Sequence, residues 1–134
     1  MGVRKEIIGK GIKATKARLA VLKLLKDEDR PLDVNEIYNS VKVGGTDLDL
    51  VTVYRVLDKL KEVKLVRQVD FREGKLRYEA VGKHHHHLIC NKCKSVQAFY
   101  GKCLSETESK IKDKYQFEVV EHVLEFYGVC KACR

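Results

Sequence analysis

The sequence predicts an α+β fold in two parts, a mainly helical N-terminal part and a smaller β-rich C-terminal part. Three observations carry this reading. Apolar residues recur at helical spacing across residues 13–63, β-rich runs take over from residue 65, and Cys-x-x-Cys pairs at 90/93 and 130/133 bracket the last third of the chain. With 134 residues there is room for one ordinary domain or two small ones.

In residues 13–26, KATKARLAVLKLLK, Ala17, Leu19, Ala20, Leu22, Leu24 and Leu25 sit among basic residues at helical spacing, and Thr15 can cap the helix. A second helix is expected over 33–42, DVNEIYNSVK: Asp33 is its cap, and Val34, Ile37, Tyr38 and Val41 fall at i, i+3, i+4 and i+7. VGGTDLDL, residues 43–50, is a turn-rich break. The third helix, LVTVYRVLDKLKEV over 50–63, buries Val53, Val56, Leu57 and Leu60 along one stripe. Its other side carries Thr52, Tyr54, Arg55, Asp58 and Lys59. LVRQVDF and KLRYEAV, separated by REG, then read as a β-hairpin.

Three helices followed by a two-stranded ribbon is the order of a winged helix-turn-helix, whose last helix enters the major groove. Tyr54 and Arg55 lie at the front of that helix, beside Thr52. Arginine reads guanine or clamps a phosphate, and tyrosine contacts a thymine methyl or a phosphate. The plainer alternative is that Tyr54 packs and Arg55 is solvated.

The net charge is +8, and it is uneven: residues 1–26 hold eight Lys or Arg and one acid, Glu6. Nucleic acid is the usual partner of such a stretch, although charge alone fits a solvated helix face equally well. No apolar run approaches the roughly 18–20 residues that span a bilayer, and no signal peptide is evident. The expected location is the cytoplasm, without membrane attachment. Thiols stay reduced there, so paired Cys-x-x-Cys motifs point to metal rather than disulfides.

Past Gly82 the pattern becomes β–α–β. HHHHLIC (84–90) and VQAFY (96–100) are strand-like, and LSETESKIKDKY (104–115) places Leu104, Glu108 and Ile111 at helical spacing. QFEVVEHVLEFYGVC (116–130) reads as one long β run with a turn at Gly128. A segment this small benefits from a metal staple. The expected boundaries are residues 1–80 for the winged-helix part, 81–84 for a hinge and 85–134 for the remainder.

Cys90, Cys93, Cys130 and Cys133 can complete the closed tetrahedral S4 shell of a structural zinc. With 36 residues between the pairs, the ion would tie the first strand of this part to the chain's end. Cys103 stands outside the pattern and reads as a small buried hydrophobe. If residues 84–90 form a strand, His85 and His87 share one face while His84 and His86 share the other. Two sites on two faces follow more naturally than one four-histidine site. Imidazole with carboxylate suits Fe(II), Mn(II), Zn(II), Co(II) or Ni(II), and affinity alone does not select among them. An exposed cluster that takes up metal adventitiously is the competing reading.

GIKATKAR, TVYRVLDKL, YEAVGKHHHHLICNKC and EHVLEFYGVCKAC, in this order, resemble the Fur family of metal-responsive repressors, and the likeness covers nearly the whole chain. The resemblance implies a homodimer of winged-helix domains joined through an α/β dimerisation domain with the four-cysteine zinc. It also implies metal-dependent binding to AT-rich inverted repeats in double-stranded operator DNA. Carried over by residue, Cys90, Cys93, Cys130 and Cys133 match the structural zinc ligands, and Tyr54 and Arg55 match recognition-helix contacts. Lys13 matches a lysine that reaches the minor groove, and Arg18 a phosphate-clamping arginine. Glu79, His85 and His87 match the regulatory metal site at the hinge. His84, His86 and His122 match a second site in the dimerisation domain, with Glu108 a nearby acid.

The chain departs from the family pattern in several places. Pro31 stands where a ligand histidine is usual, Ala98 where an acid is usual and His86 where the second site has Asp. The helix acid of that site aligns with Ser105, leaving Glu106 and Glu108 as neighbours. Glu79 argues against the zinc-uptake members, which tend to carry cysteine there, and Pro31 weakens peroxide sensing. Iron-dependent repression by Fe2+ is therefore the expected function, with peroxide-sensing and zinc- or manganese-responsive regulation as alternatives. No HExxH or nucleophile turn suggests an enzyme. A zinc-ribbon adaptor would leave the basic first helix and TVYR unexplained.

Overall fold

The computed structural model describes residues 2–82, 85–101 and 104–134, so the readings for His84 and Cys103 lie outside the described residues. The chain divides into two compact units, Met1–Gly82 and Lys83–Arg134.

The first unit contains α1 (Val3–Gly9), α2 (Lys16–Asp27), β1 (Leu32–Asp33), α3 (Val34–Val43), α4 (Leu50–Glu62), β2 (Val66–Asp70) and β3 (Leu76–Ala80). The caps expected from sequence are present. Thr15 Oγ1 accepts from the Arg18 amide at the start of α2, and Asp33 and Glu36 form a reciprocal capping box on α3. Asp49 caps α4 by accepting from the Thr52 amide. Val53, Val56, Leu57 and Leu60 are all buried, packed with Leu22 and Ile37 in the core of this unit.

Two elements go beyond the expected three helices and ribbon. Helix α1 is short and lacks a side-chain cap, with a glycine on either side, so its periodicity is faint; it is held by fully buried Ile7 and by a Lys26–Glu6 ion pair at 2.6 Å. Strand β1 pairs antiparallel with β3, turning the ribbon into a sheet ordered β1-β3-β2. Across the hairpin Gln68 faces Tyr78, and Gly74 in the connecting loop takes φ +81°, a left-handed conformation that favours glycine.

The second unit contains β4 (His86–Cys90), β5 (Val96–Phe99), α5 (Ser105–Tyr115) and β6 (Glu125–Gly128), with strand order β5-β4-β6. Strand β4 runs antiparallel to β5 and parallel to β6, with Cys90 in register with Gly128. The long β run expected over 116–130 is shorter than its sequence suggests. Only Glu125–Gly128 enters a ladder, because within the described chain only that stretch has an edge of β4 beside it. Residues 117–123 instead present Phe117, Val120 and Val123 to solvent. Among the described residues of this unit the buried apolar side chains are Ile89 and Cys90 alone, so the unit has almost no core of its own. No helix among the described residues is long and apolar enough to cross a membrane.

Candidate metal centres and nucleic-acid interface

The parallel pairing of β4 with β6 explains how two distant Cys-x-x-Cys motifs meet. Cys90 closes β4 opposite Gly128, so the turns holding 90/93 and 130/133 emerge at the same end of the sheet. The Asn91 amide donates to the Gly128 carbonyl at 2.8 Å and pins the two turns together. All four sulfurs lie within 4.8 Å of one another, and Cys93 Sγ is 3.7 Å from Cys130 Sγ. A tetrahedral S4 shell with Zn–S of about 2.3 Å has edges of about 3.8 Å, so the cluster fits a zinc ion. It does not fit a disulfide, whose sulfurs would be about 2.0 Å apart.

The backbone prepares the sulfurs for that role. Amides of Cys130 and Cys93 point at Cys90 Sγ and lower its pKa to about 6. Ser95, 3.2 Å from Cys93 Sγ, lowers that thiol too. Cys133 is pushed up to about 12 by hydrogen bonding to Cys130 and Cys93. Four thiolates this close repel one another, so deprotonating all of them calls for a cation at their centre.

The imidazoles separate by face as the strand period predicts. His85 and His87 stack edge to face with ring centroids 4.9 Å apart, and Tyr100 lies 5.4 Å from the His85 ring. The His86 ring is 5.6 Å from that of His122. An imidazole that ligates at 2.0–2.1 Å has its centroid roughly 3 Å from the ion, so each pair can share one metal. His122 Nδ1 is 2.6 Å from Glu108 Oε1 on α5, which brings together two residues expected at a second site. A carboxylate on Nδ1 commonly orients an imidazole that ligates through Nε2.

In the first unit Glu79 is buried near the end of β3, facing Arg67 across the hairpin. Arg67 was not singled out from sequence. Yet a hairpin centred on REG pairs positions whose numbers sum to 146, which already sets 67 against 79. Pro31 is fully buried and its carbonyl accepts from Arg77 Nη1 at 3.2 Å, while Arg77 also pairs with Glu73 at 2.6 Å. Ala98 lies in register with His87 and brings no donor.

On α4, Tyr54 and Arg55 are exposed and Thr52 is half-buried. Thr52 lines an open groove with Thr15 and Lys16 at the start of α2. Lys13 is exposed just before α2, and its carbonyl accepts from Arg18 Nη1 at 2.9 Å. Asp47 and Asp49 line the same groove, and Asp49 caps α4, so of the two helix starts it is that of α2 that carries basic side chains, Lys13 and Lys16, beside it.

Residues 9–127 match the Ferric uptake regulator family. A ferric uptake regulation protein of Bacillus subtilis is 32% identical, covering 98% of this chain and 91% of its own. Two solved structures are similar at 29% identity and a TM-score of 0.79. One is the ferric uptake regulator of Pseudomonas aeruginosa with manganese, covering 98% of this chain and 99% of its own. The other is the Campylobacter jejuni peroxide stress regulator, covering 99% and 100%.

Proposed function

This chain belongs to the ferric uptake regulator family, whose members are DNA-binding transcriptional regulators and not enzymes, and we propose that it is an iron-responsive repressor acting as a homodimer in the cytoplasm. The observation that carries the reading is the sorting of donors. The thiolates are gathered in one closed cluster, and the imidazoles stand apart from it on the two faces of β4. A closed S4 site holds a structural ion, whereas imidazole and carboxylate donors suit an exchangeable Fe(II) or Mn(II).

In this reading Zn2+ occupies Cys90, Cys93, Cys130 and Cys133, and Fe2+ occupies Glu79, His85 and His87. A second regulatory ion would take His86 and His122, with Glu108 beside them; the further ligand expected from sequence, His84, lies outside the described residues. Held by Glu79, His85 and His87, the metal would favour the DNA-competent state of the chain over the open one. The rest of the action belongs to the chain's own residues. Tyr54, Arg55 and Thr52 face the major groove from α4, while Lys13 and Arg18 hold the backbone. The exposed apolar residues after α5 support self-association, because a unit so poor in core gains most by covering them with a second copy.

The test is operator binding titrated anaerobically with Fe2+, Mn2+ and Zn2+. Binding should tighten with Fe2+ at a lower free concentration than with Mn2+, and Zn2+ serves as the tight-binding reference that affinity alone would favour; equal affinity with and without metal would overturn the proposal. A manganese optimum would keep the sensor and change its ion.

A further inference from the structure

We infer that Arg67 competes with the regulatory metal for Glu79 and so sets the free-metal concentration at which the sensor fills. This rests on the reading of Glu79 as a metal ligand. Antiparallel pairing of β2 with β3 puts Arg67 directly opposite Glu79. Arg67 Nη2 and Nε stand 3.0 and 3.2 Å from the same carboxylate oxygen, Oε1. Glu79 is only 6% exposed, so a charged partner on its carboxylate offsets the loss of water there.

A guanidinium and a divalent ion answer the same need of this carboxylate. A metal–oxygen bond of about 2.0–2.2 Å to that oxygen would bring the ion within roughly 5 Å of Arg67 Nη2 and Nε, close enough for two cations to repel. The ion must therefore hold Glu79 against a resident cation. Such a contest raises the filling threshold and favours ions that bind carboxylate strongly. The opposite role, in which Arg67 merely orients Glu79 for the metal, predicts the opposite sign: removing the arginine would weaken binding.

The experiment uses the full-length, zinc-loaded protein and measures Mn2+ affinity by competition with a chromophoric chelator. Folding and zinc content are checked for every variant. Arg67→Met should bind Mn2+ about tenfold more tightly or better, because a like charge is removed beside the site. Arg67→Lys, which keeps the charge, should remain near the parent affinity and separates lost charge from lost packing. In a Glu79→Gln background the Arg67→Met gain should vanish. Unchanged or weaker binding by Arg67→Met, with Glu79→Gln still impaired, overturns the competition and leaves Glu79 a ligand. Parent affinity in Glu79→Gln overturns both.

Discussion

His122 Nδ1 meets Glu108 Oε1 at 2.6 Å, tying the segment before β6 to α5. The pair sits beside His86, whose ring is 5.6 Å from His122, so α5 and β4 both contribute to one cluster. If Glu108 orients His122, Glu108→Ala should weaken an exchangeable ion at this cluster about 10–100-fold while sparing the zinc held by the four cysteines. Glu108→Gln still offers a carbonyl to Nδ1–H and should lose less. Metal content after dialysis, followed by Mn2+ titration, reads both outcomes. Equal loss in the two variants would make Glu108 a direct ligand instead.

If the four cysteines hold zinc as proposed, its removal should unfold one unit and spare the other. The first unit has its own core around Leu22, Ile37 and Leu57, whereas the second buries little apolar surface among its described residues. Cys93→Ser with Cys130→Ser should abolish zinc binding and leave the amides of β4 and β6 exchanging freely with solvent. Amides in α2 and α4 should keep their protection. Hydrogen exchange resolved by segment checks this, and loss of protection in α4 would contradict it.

Acid should destabilise the first unit through two carboxylates. Arg77 holds Glu73 below its ordinary 4.5. Burial raises Asp33, but Lys75 at 2.7 Å and the Glu36 amide outweigh it and leave Asp33 below its ordinary 3.8. Both groups therefore bind protons more readily in the unfolded chain. Their stabilisation is fully present above those ordinary values and is lost as pH falls through the lower, folded ones. Urea midpoints for this unit should hold steady from neutral pH down to about 5 and fall below about 4.5. Lys75→Met removes the partner of Asp33 and should flatten part of that fall. Asp33→Asn keeps a capping side chain and should cost less at neutral pH than Asp33→Ala, for which about 1 kcal/mol is expected.

Much of this architecture is legible in the sequence because local chemistry writes it there. Asp33 three residues before Glu36 announces a helix start, and Val53, Val56, Leu57 and Leu60 announce the buried stripe of α4. The spacing of 90/93 and 130/133 names four sulfurs that do converge. What escapes the sequence is decided by partners distant along the chain. Helix α1 depends on one buried isoleucine and an ion pair to Lys26. Residues 116–124 are rich in β-forming side chains, yet strand identity requires a ladder that the described residues do not supply there. Nothing local to Arg77 reveals that its guanidinium reaches 46 positions back to Pro31.

Self-association should depend on the apolar side chains after α5. Val120 is 91% exposed and Val123 75%, a pattern a lone soluble unit rarely keeps. Val120→Asp with Val123→Asp should shift the protein to monomer in sedimentation equilibrium, with the structural zinc retained. Operator affinity should fall with it, since each half-site would then be bound alone. A dimer of unchanged strength would place the interface elsewhere.

Base reading and backbone binding should separate in the DNA contacts. Arg55 is exposed near the start of α4, and Lys13 lies outside that helix, beside the N-terminus of α2. Lys13→Ala should weaken binding to operator and to random duplex alike and lower the slope of log K against log salt by about 1. Arg55→Ala should cost about 1–3 kcal/mol at the operator if it reads guanine, with random duplex much less affected. Fluorescence anisotropy at several salt concentrations, with metal saturating, distinguishes the two. A uniform loss for Arg55→Ala would instead assign it to phosphate, leaving Tyr54 and Thr52 as the α4 side chains to test for base reading.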